Sequence, residues 1–397
     1  MSSTVWPTLT ELQGWRHDFL RYPETAFEEH RTSARVAELL AGWGMEVHAG
    51  IAGTGVVGVL RGARGEGPSI GLRADMDALH VTELNDVPHA SVHQGRMHAC
   101  GHDGHTTMLL GGARVLASNP DFAGTVHFIF QPAEENEGGA RAMIEDGLFE
   151  QFPMQAVYSM HNWPGLPVGQ AAVHAGPVMA AFDIFNLTLT GKGCHAAMPH
   201  SGKDTLLAAC QLVTQLPALI SREQDVHKPA VLSVTSFNAG DTYNVMPEQV
   251  KLRGTVRCFD MEQRERIEQR FRDAISACAT LHGLEAELDY RVSYPATINS
   301  AEHAEVCAGV LAGLLGEASV KREMMPSMAS EDFSFMSQAR PGVYIWMGNG
   351  ENSASLHNPA YDFNDRVLPL GVRYWVELTM ALLRDGKLPA GQTSTAA

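Results

Sequence analysis

His98-Ala99-Cys100-Gly101-His102-Asp103-Gly104-His105 places three imidazoles, a thiol and a carboxylate in eight residues, just ahead of the apolar run Met108-Leu109-Leu110. Such groups are costly to bury unless they are hydrogen-bonded or bound to a metal. The stretch therefore reads as a metal-ligating segment leading into a buried helix, with a histidine-rich surface turn as the plain alternative. Ligands from elsewhere in the chain have to complete it.

Upstream, Ser69 to Ala74 is a short apolar run that ends in Asp75-Met76-Asp77. Alternation along a strand puts Asp75 and Asp77 on one side, at the C-terminal end where α/β enzymes build their sites. Val56 to Leu60 is joined to this run by a Gly-rich turn, which predicts a hairpin. Downstream, Thr106 to Ala117 predicts an apolar helix. Thr125 to Phe130 predicts a buried strand, halted by Gln131-Pro132 and followed by Glu134 and Glu135, and Ala156 to Met160 predicts a strand ending in His161. Three successive strands thus finish on Asp, Glu or His, the pattern of an α/β catalytic domain.

From Phe182 the texture changes to strands with one wet face and two amphipathic helices, Thr205 to Ile220 and Arg264 to Leu281. The order β-α-β-β-α-β is that of a ferredoxin-like domain. The expected organisation is a discontinuous α/β domain of residues 1–180 and 295–397, with a mixed sheet, interrupted by an α+β insertion at 181–294. After Pro295 the first texture returns, with helix Glu302 to Leu315, the loop Ser330-Glu331-Asp332-Phe333, strand Gly342 to Met347, then His357 and a final helix near Val372 to Leu383. Leu9 to Tyr22 and Thr32 to Trp43 predict two N-terminal helices. The tail after Leu388 reads as frayed.

A chain of 397 residues is too long for one ordinary core, which fits two domains. Net charge is −16 with no compensating Lys/Arg cluster, which disfavours nucleic acid as a partner. No run approaches about 18 apolar residues, and Glu11, Arg16, His17 and Asp18 interrupt the N-terminal stretch, so neither a membrane span nor a signal peptide is expected. Six cysteines without framework spacing read as reduced thiols, and the cytoplasm is the expected compartment.

Cys100, His102, Glu135, His161 and His357 form a thiolate, imidazole and carboxylate set of the kind that holds divalent metals. Five candidates exceed one tetrahedral ion with an open position, so two ions sharing a ligand is the economical account, and it suits a hydrolase. Asp75, Asp77 and Asp103 are candidates for ligation or for orienting the imidazoles. Glu134 has two readings on residues alone: a general base beside a ligand, or a carboxylate answering the dipole of the helix that follows.

Arg73-Ala-Asp-Met-Asp77, His98 to His105, Gln131-Pro-Ala-Glu-Glu135, Met160-His-Asn162, Gly191-Lys-Gly-Cys-His195, Asn244-Val-Met-Pro247, Ser330-Glu-Asp-Phe333 and Leu356-His-Asn358 together closely resemble the M20 metallopeptidase family. Within it they resemble the amidohydrolase branch of aminoacylases, hippurate hydrolases and indoleacetyl-amino-acid hydrolases. The resemblance runs from about Leu12 to Leu383. It implies a two-metal catalytic domain and an inserted lid that also mediates homodimerisation.

It further implies that Cys100, His102, Glu135, His161 and His357 are the ligands of two divalent ions (Zn, Mn, Co or Ni), that Glu134 is the general base, and that His195 stabilises the oxyanion. Asn244 and Arg257 fall where relatives bind the substrate carboxylate, a role a bidentate guanidinium suits; a strand-surface charge is the other reading of Arg257. Asp77 matches the aspartate that orients a ligand histidine in other branches, but a cysteine stands for that histidine here, which leaves the role of Asp77 open. Cys194 stands where this branch usually has glycine. The expected reaction is metal-dependent hydrolysis of the amide bond of a small-molecule N-acyl amino acid. A dipeptidase or carboxypeptidase of the same fold, and a non-catalytic binder of acyl amino acids, are the alternatives.

Overall fold

The computed structural model describes residues 4–135, 137–384, 386 and 388–389. The tail from Ala390 onward lies outside the described residues, as does most of the segment read as frayed. The chain divides into two compact units: Met1–Val178 with Ile298–Met325 and Asp332–Ala397, and Met179–Thr297 with Pro326–Glu331.

The first unit is built on a mixed eight-stranded sheet in the order Glu46–Ile51, Gly55–Arg61, Thr125–Gln131, Ser69–Asp75, Ala156–Pro164, Gly342–Gly350, Ala171–Ala172, Val320–Lys321. Its central strands are parallel: Ser69–Asp75 runs alongside Thr125–Gln131 and Ala156–Pro164, and the latter alongside Gly342–Gly350. They are buried nearly throughout, which is why they read as continuous apolar runs instead of alternating ones. Parallel pairing brings their C-terminal ends, with Asp75, Gln131 and His161, to one edge.

The expected hairpin of Val56 to Leu60 with Ser69 to Ala74 is not formed. Gly55–Arg61 instead pairs antiparallel with Glu46–Ile51 through a tight turn, and Thr125–Gln131 lies between it and Ser69–Asp75. The partner Glu46–Ile51 escapes a search for apolar runs because Glu46, Ala49 and Gly50 are solvent-exposed on this edge strand.

Helix His102–Ser118 is buried along nearly its whole length, as expected of a helix apolar all round. It packs on Ser69–Asp75 and between helices Leu9–Arg21 and Leu368–Leu383. Leu9–Arg21 starts on a capping box, Thr8 with Glu11. From its midpoint the buried Arg16 reaches Asp103 at 3.1 Å and Asp362 at 3.0 Å, and also pairs with Asp365.

The second unit carries a four-stranded antiparallel sheet in the order Ala230–Ala239, Gln249–Cys258, Ala181–Thr190, Glu285–Tyr294. Helices Thr205–Ser221 and Met261–His282 complete the β-α-β-β-α-β order. Each helix starts on an aspartate cap, Asp204 accepting from Leu207 and Asp260 from Gln263. Ala181–Thr190 alternates strictly between buried and half-buried residues, the period-2 pattern of a half-wet sheet. Asp183 is buried, paired with Arg264 and accepting from the Tyr290 hydroxyl at 3.0 Å and Ser293 N at 3.1 Å. Pro326–Glu331 packs with this unit because Ala180 N donates to the carbonyls of Ser327 and Ala329, and Arg257 to that of Met328.

Candidate metal centre

Helix His102–Ser118 begins at Gly101, which caps it in the left-handed region at φ 94°. A Cβ at Gly101 would fall 2.2 Å from Asn162 Oδ1 and 2.7 Å from the Tyr361 hydroxyl. Only glycine permits this approach, and it sets Cys100 and His102 against the end of strand Ala156–Pro164. Cys100 Sγ lies 3.4 Å from His161 Nε2.

His161 and His102 are each fixed by a contact at Nδ1. His161 Nδ1 donates to Asn162 O at 2.7 Å, which leaves Nε2 on the Cys100 side. His102 Nδ1 stands 3.2 Å from Asp77 Oδ1, and its Nε2, buried and without a hydrogen-bond partner, is 3.7 Å from Asp75 Oδ2. Imidazoles pinned at one nitrogen by a carboxylate or carbonyl, with the other left over, are arranged as metal ligands are. His357 has a left-handed backbone at φ 63°, held by its N–H to Ala99 O at 2.8 Å, and its Nε2 is 3.1 Å from Glu135 Oε1.

The donor atoms of Cys100, His102 and His161 lie within 4.8 Å of one another, and so do those of Cys100, Glu135 and His357 and those of His102, Glu134 and Glu135. Cys100, His102 and Glu135 each belong to two of these triples. Seven sequence candidates of this unit therefore lie together: Asp77, Cys100, His102, Glu134, Glu135, His161 and His357.

Burial and neighbouring charges shift the donors strongly. Burial pushes the Cys100 thiol well above its ordinary range, with Glu135 and Glu134 adding to the effect. Burial opposes charge on His102, but Asp75 and Asp77 outweigh it and hold the imidazole up to about 10. Burial, with His105 and His102 nearby, drives His161 well below its usual value. The hydrogen bond to Glu135 raises His357. Buried carboxylates gathered around these donors suit a divalent cation.

The other residues of the opening motif serve elsewhere. His105 spends Nδ1 on Asp75 at 2.6 Å and takes Asn162 N on Nε2 at 3.0 Å, so neither nitrogen is left for an ion. Asp103 pairs with Arg16. His98 is buried, and neither of its nitrogens has a hydrogen-bond partner among the described residues.

A match to the family model described as Peptidase family M20/M25/M40 spans residues 71–381. The chain belongs to the M20 peptidase family. A hippurate hydrolase of Campylobacter jejuni is 38% identical to this M20 chain over 382 residues, covering 95% of the chain and 99% of the relative. An N-acetyl-L-cysteine deacetylase of Bacillus subtilis is 36% identical over 364 residues, covering 90% and 85%. A solved structure of a dinuclear metal-binding M20 peptidase from Bacillus subtilis matches with a TM-score of 0.82 at 33% identity, covering 93% of this chain and 97% of that one. The protein is thus a hydrolase of the amidohydrolase branch of the M20 family, and its donor set is one for divalent metal ions. Among the described residues, no helix is long and apolar enough to cross a membrane.

In the inserted unit of this M20 hydrolase, His195 lies in the two-residue strand Cys194–His195, facing Val245 across an antiparallel pair. It is exposed, and its Nδ1 accepts from Ala197 N at 3.1 Å, which places the proton on Nε2. Asn244 precedes Val245, and its carbonyl accepts from Ala196 N at 2.9 Å, so His195 and Asn244 share one ribbon. Arg257 lies on strand Gln249–Cys258, stacked 4.4 Å from the Phe182 ring and donating to Met328 O at 2.8 Å.

Several buried groups around the centre were not singled out by sequence. Arg73 bonds Gln131, Asp75 and Asp332, and Asp332 also accepts from Gln131 Nε2 and Ala140 N, tying both ends of the loop that carries Glu134 and Glu135. Glu29 reaches the same loop. Arg73 and Asp332 stood inside recognisable motifs, whereas Glu29 had no signal beyond being an acidic residue at a helix start.

Proposed function

We propose that the protein hydrolyses the amide bond of N-acyl amino acids, giving a carboxylic acid and a free amino acid. The observation that carries this reading is the meeting of Cys100, His102, Glu135, His161 and His357 with Glu134 beside them. Cys100, His102, Glu135, His161 and His357 would hold two divalent ions (Zn, Mn, Co or Ni), which suit thiolate, imidazole and carboxylate donors. Divalent ions bound there supply Lewis-acid polarisation of the carbonyl and acidify water.

Glu134 takes the proton of the attacking water as its oxygen adds to the carbonyl carbon. It returns that proton to the nitrogen as the C–N bond breaks. Asp77 keeps His102 in one tautomer. In the inserted unit, the Nε2–H of His195 is suited to the developing oxyanion, and Asn244 with Arg257 to the substrate carboxylate. Exposed Met198, Tyr243 and Val245 flank His195 and Asn244, which supports a role for this unit as a lid and as the contact surface of a homodimer. Six free thiols suit a reducing compartment such as the cytoplasm.

The test is a hydrolysis screen of N-acetyl, N-benzoyl and indoleacetyl amino acids beside dipeptides, on apo-protein reloaded with each metal. Turnover of acyl amino acids over dipeptides is expected, and Glu134→Gln should keep its metal while losing nearly all kcat. Turnover of dipeptides alone, or an active Glu134→Gln, overturns the reading.

A further inference from the structure

The turn carrying Glu134 and Glu135 leaves strand Thr125–Gln131 through Pro132 and Ala133. Ala133 has φ of 54°, a left-handed conformation that a residue with a Cβ rarely adopts unless its surroundings impose it. Its N–H is held by the carboxylate of Glu29, and its carbonyl accepts from Gly139 N at 2.9 Å. This carboxylate is fully buried; its Oε1 accepts from Ala133 N at 2.9 Å and from Phe27 N at 3.1 Å, and its Oε2 accepts from the Thr54 hydroxyl at 2.6 Å. Phe27 is itself left-handed at φ 58°. One carboxylate oxygen therefore holds two of the four non-glycine residues with positive φ among the described residues.

Glu29 also occupies the N-cap position of helix His30–Gly42, where a carboxylate normally bonds the first free N–H groups of its own helix. It makes no such bond. Its side chain is committed to Ala133, Phe27 and Thr54. On the other side of Glu134, Asp77 Oδ2 accepts from Glu135 N at 3.0 Å. The backbone of Glu134 is thus bracketed: the N–H of the residue before it is held by Glu29 and that of the residue after it by Asp77.

We infer that Glu29 is a positioning residue for the general base, fixing the left-handed turn at Ala133 and with it the direction in which the Glu134 carboxylate points. The inference rests on Glu134 being the base. Glu29→Gln keeps an oxygen facing Ala133 and Phe27, and its amide can donate to Thr54, whose hydroxyl turns to accept. Glu29→Ala removes every one of these bonds, and Glu29→Asp keeps the charge while withdrawing the acceptor by one methylene.

The experiment compares metal-loaded wild type, Glu29→Ala, Glu29→Asp and Glu29→Gln for kcat, KM and metal per chain, and repeats Glu29→Ala in a Glu134→Gln background. Misplacing a reacting group by about 1 Å costs on the order of 100-fold. The expected result is therefore a kcat lower by about 10- to 100-fold in Glu29→Ala and Glu29→Asp, with KM and metal content unchanged. Glu29→Gln should recover to within about threefold of wild type, and Glu29→Ala should have no further effect once Glu134 is gone. If Glu29→Ala does not fold, Glu29→Asp against Glu29→Gln carries the comparison. The inference is overturned if Glu29→Gln is as impaired as the other two, if kcat falls only in step with metal content, or if Glu29→Ala costs as much without Glu134 as with it. Activity retained by Glu134→Gln alone overturns the base reading instead.

Discussion

Asp77 stands 3.2 Å from Nδ1 of His102. Its second oxygen holds the backbone of Glu135, so one buried carboxylate fixes an imidazole on a helix and the turn that follows a neighbouring strand. Loss of such an outer carboxylate typically weakens metal affinity by about 10- to 100-fold. Asp77→Ala is expected to show that loss in competition with a chelator, while its far-ultraviolet circular dichroism stays that of the wild type. Unchanged affinity would detach Asp77 from the metal centre.

The apo-protein carries a proton on His102, held up to about 10, and one on Cys100, whose thiol lies well above its ordinary range. Ligands bind an ion in their deprotonated forms, so loading at pH 8 should release more than one proton and apparent affinity should rise with pH. Calorimetric titration in two buffers of different ionisation enthalpy measures the number released, and a value near zero would contradict the donor assignment. For the apo-protein the sign runs the other way. The raised folded pKa of His102 stabilises fully below about 6.5, and that contribution is lost as pH rises toward about 10.

Burial lifts the Glu29 carboxyl from 4.5 to about 7, against the hydrogen bond from Thr54 and with Asp77 adding to the lift. Between those values the folded protein binds a proton that the unfolded chain has given up, so stability from this group declines as pH rises from about 4.5 to 7. Glu29→Gln is uncharged throughout. The difference in melting temperature between wild type and Glu29→Gln should therefore change across that window and be flat above it, which thermal melts at several pH values will show.

In the inserted unit, Asp183 compensates the buried guanidinium of Arg264. Removing one partner of a buried pair leaves an uncompensated charge and costs about 3–5 kcal/mol. Asp183→Ala should lower the stability of this unit by that amount in urea unfolding. Asp183→Ala paired with Arg264→Met should recover much of the loss.

The parallel strands of the first unit were legible in sequence because fully buried strands leave continuous apolar runs, and Glu135 and His161 stand near where two of those runs stop. Their pairing was less legible. Gly55–Arg61 and Ser69–Asp75 look alike as apolar segments, and nothing local tells that Thr125–Gln131 lies between them. The meeting of Cys100 with Glu135 and His357 could be anticipated from residue chemistry. The left-handed backbones of Ala133 and His357 could not, since neither is glycine and the contacts that hold them include those from Glu29 and Ala99. Glu29 was missed for a related reason: an acidic residue opening a helix normally serves that helix.

Arg16 holds Asp103 from the first helix and Asp362 from near the end of the chain, and the donors themselves run from Cys100 to His357. Contacts of such sequence separation form only when almost the whole chain has come together. While the protein is being synthesised, Cys100 and His102 emerge long before His357, so the donor set stays incomplete until nearly the whole chain is made. The complete donor set is therefore a property of the finished fold, and a chain stopped short of His357 would hold only part of it.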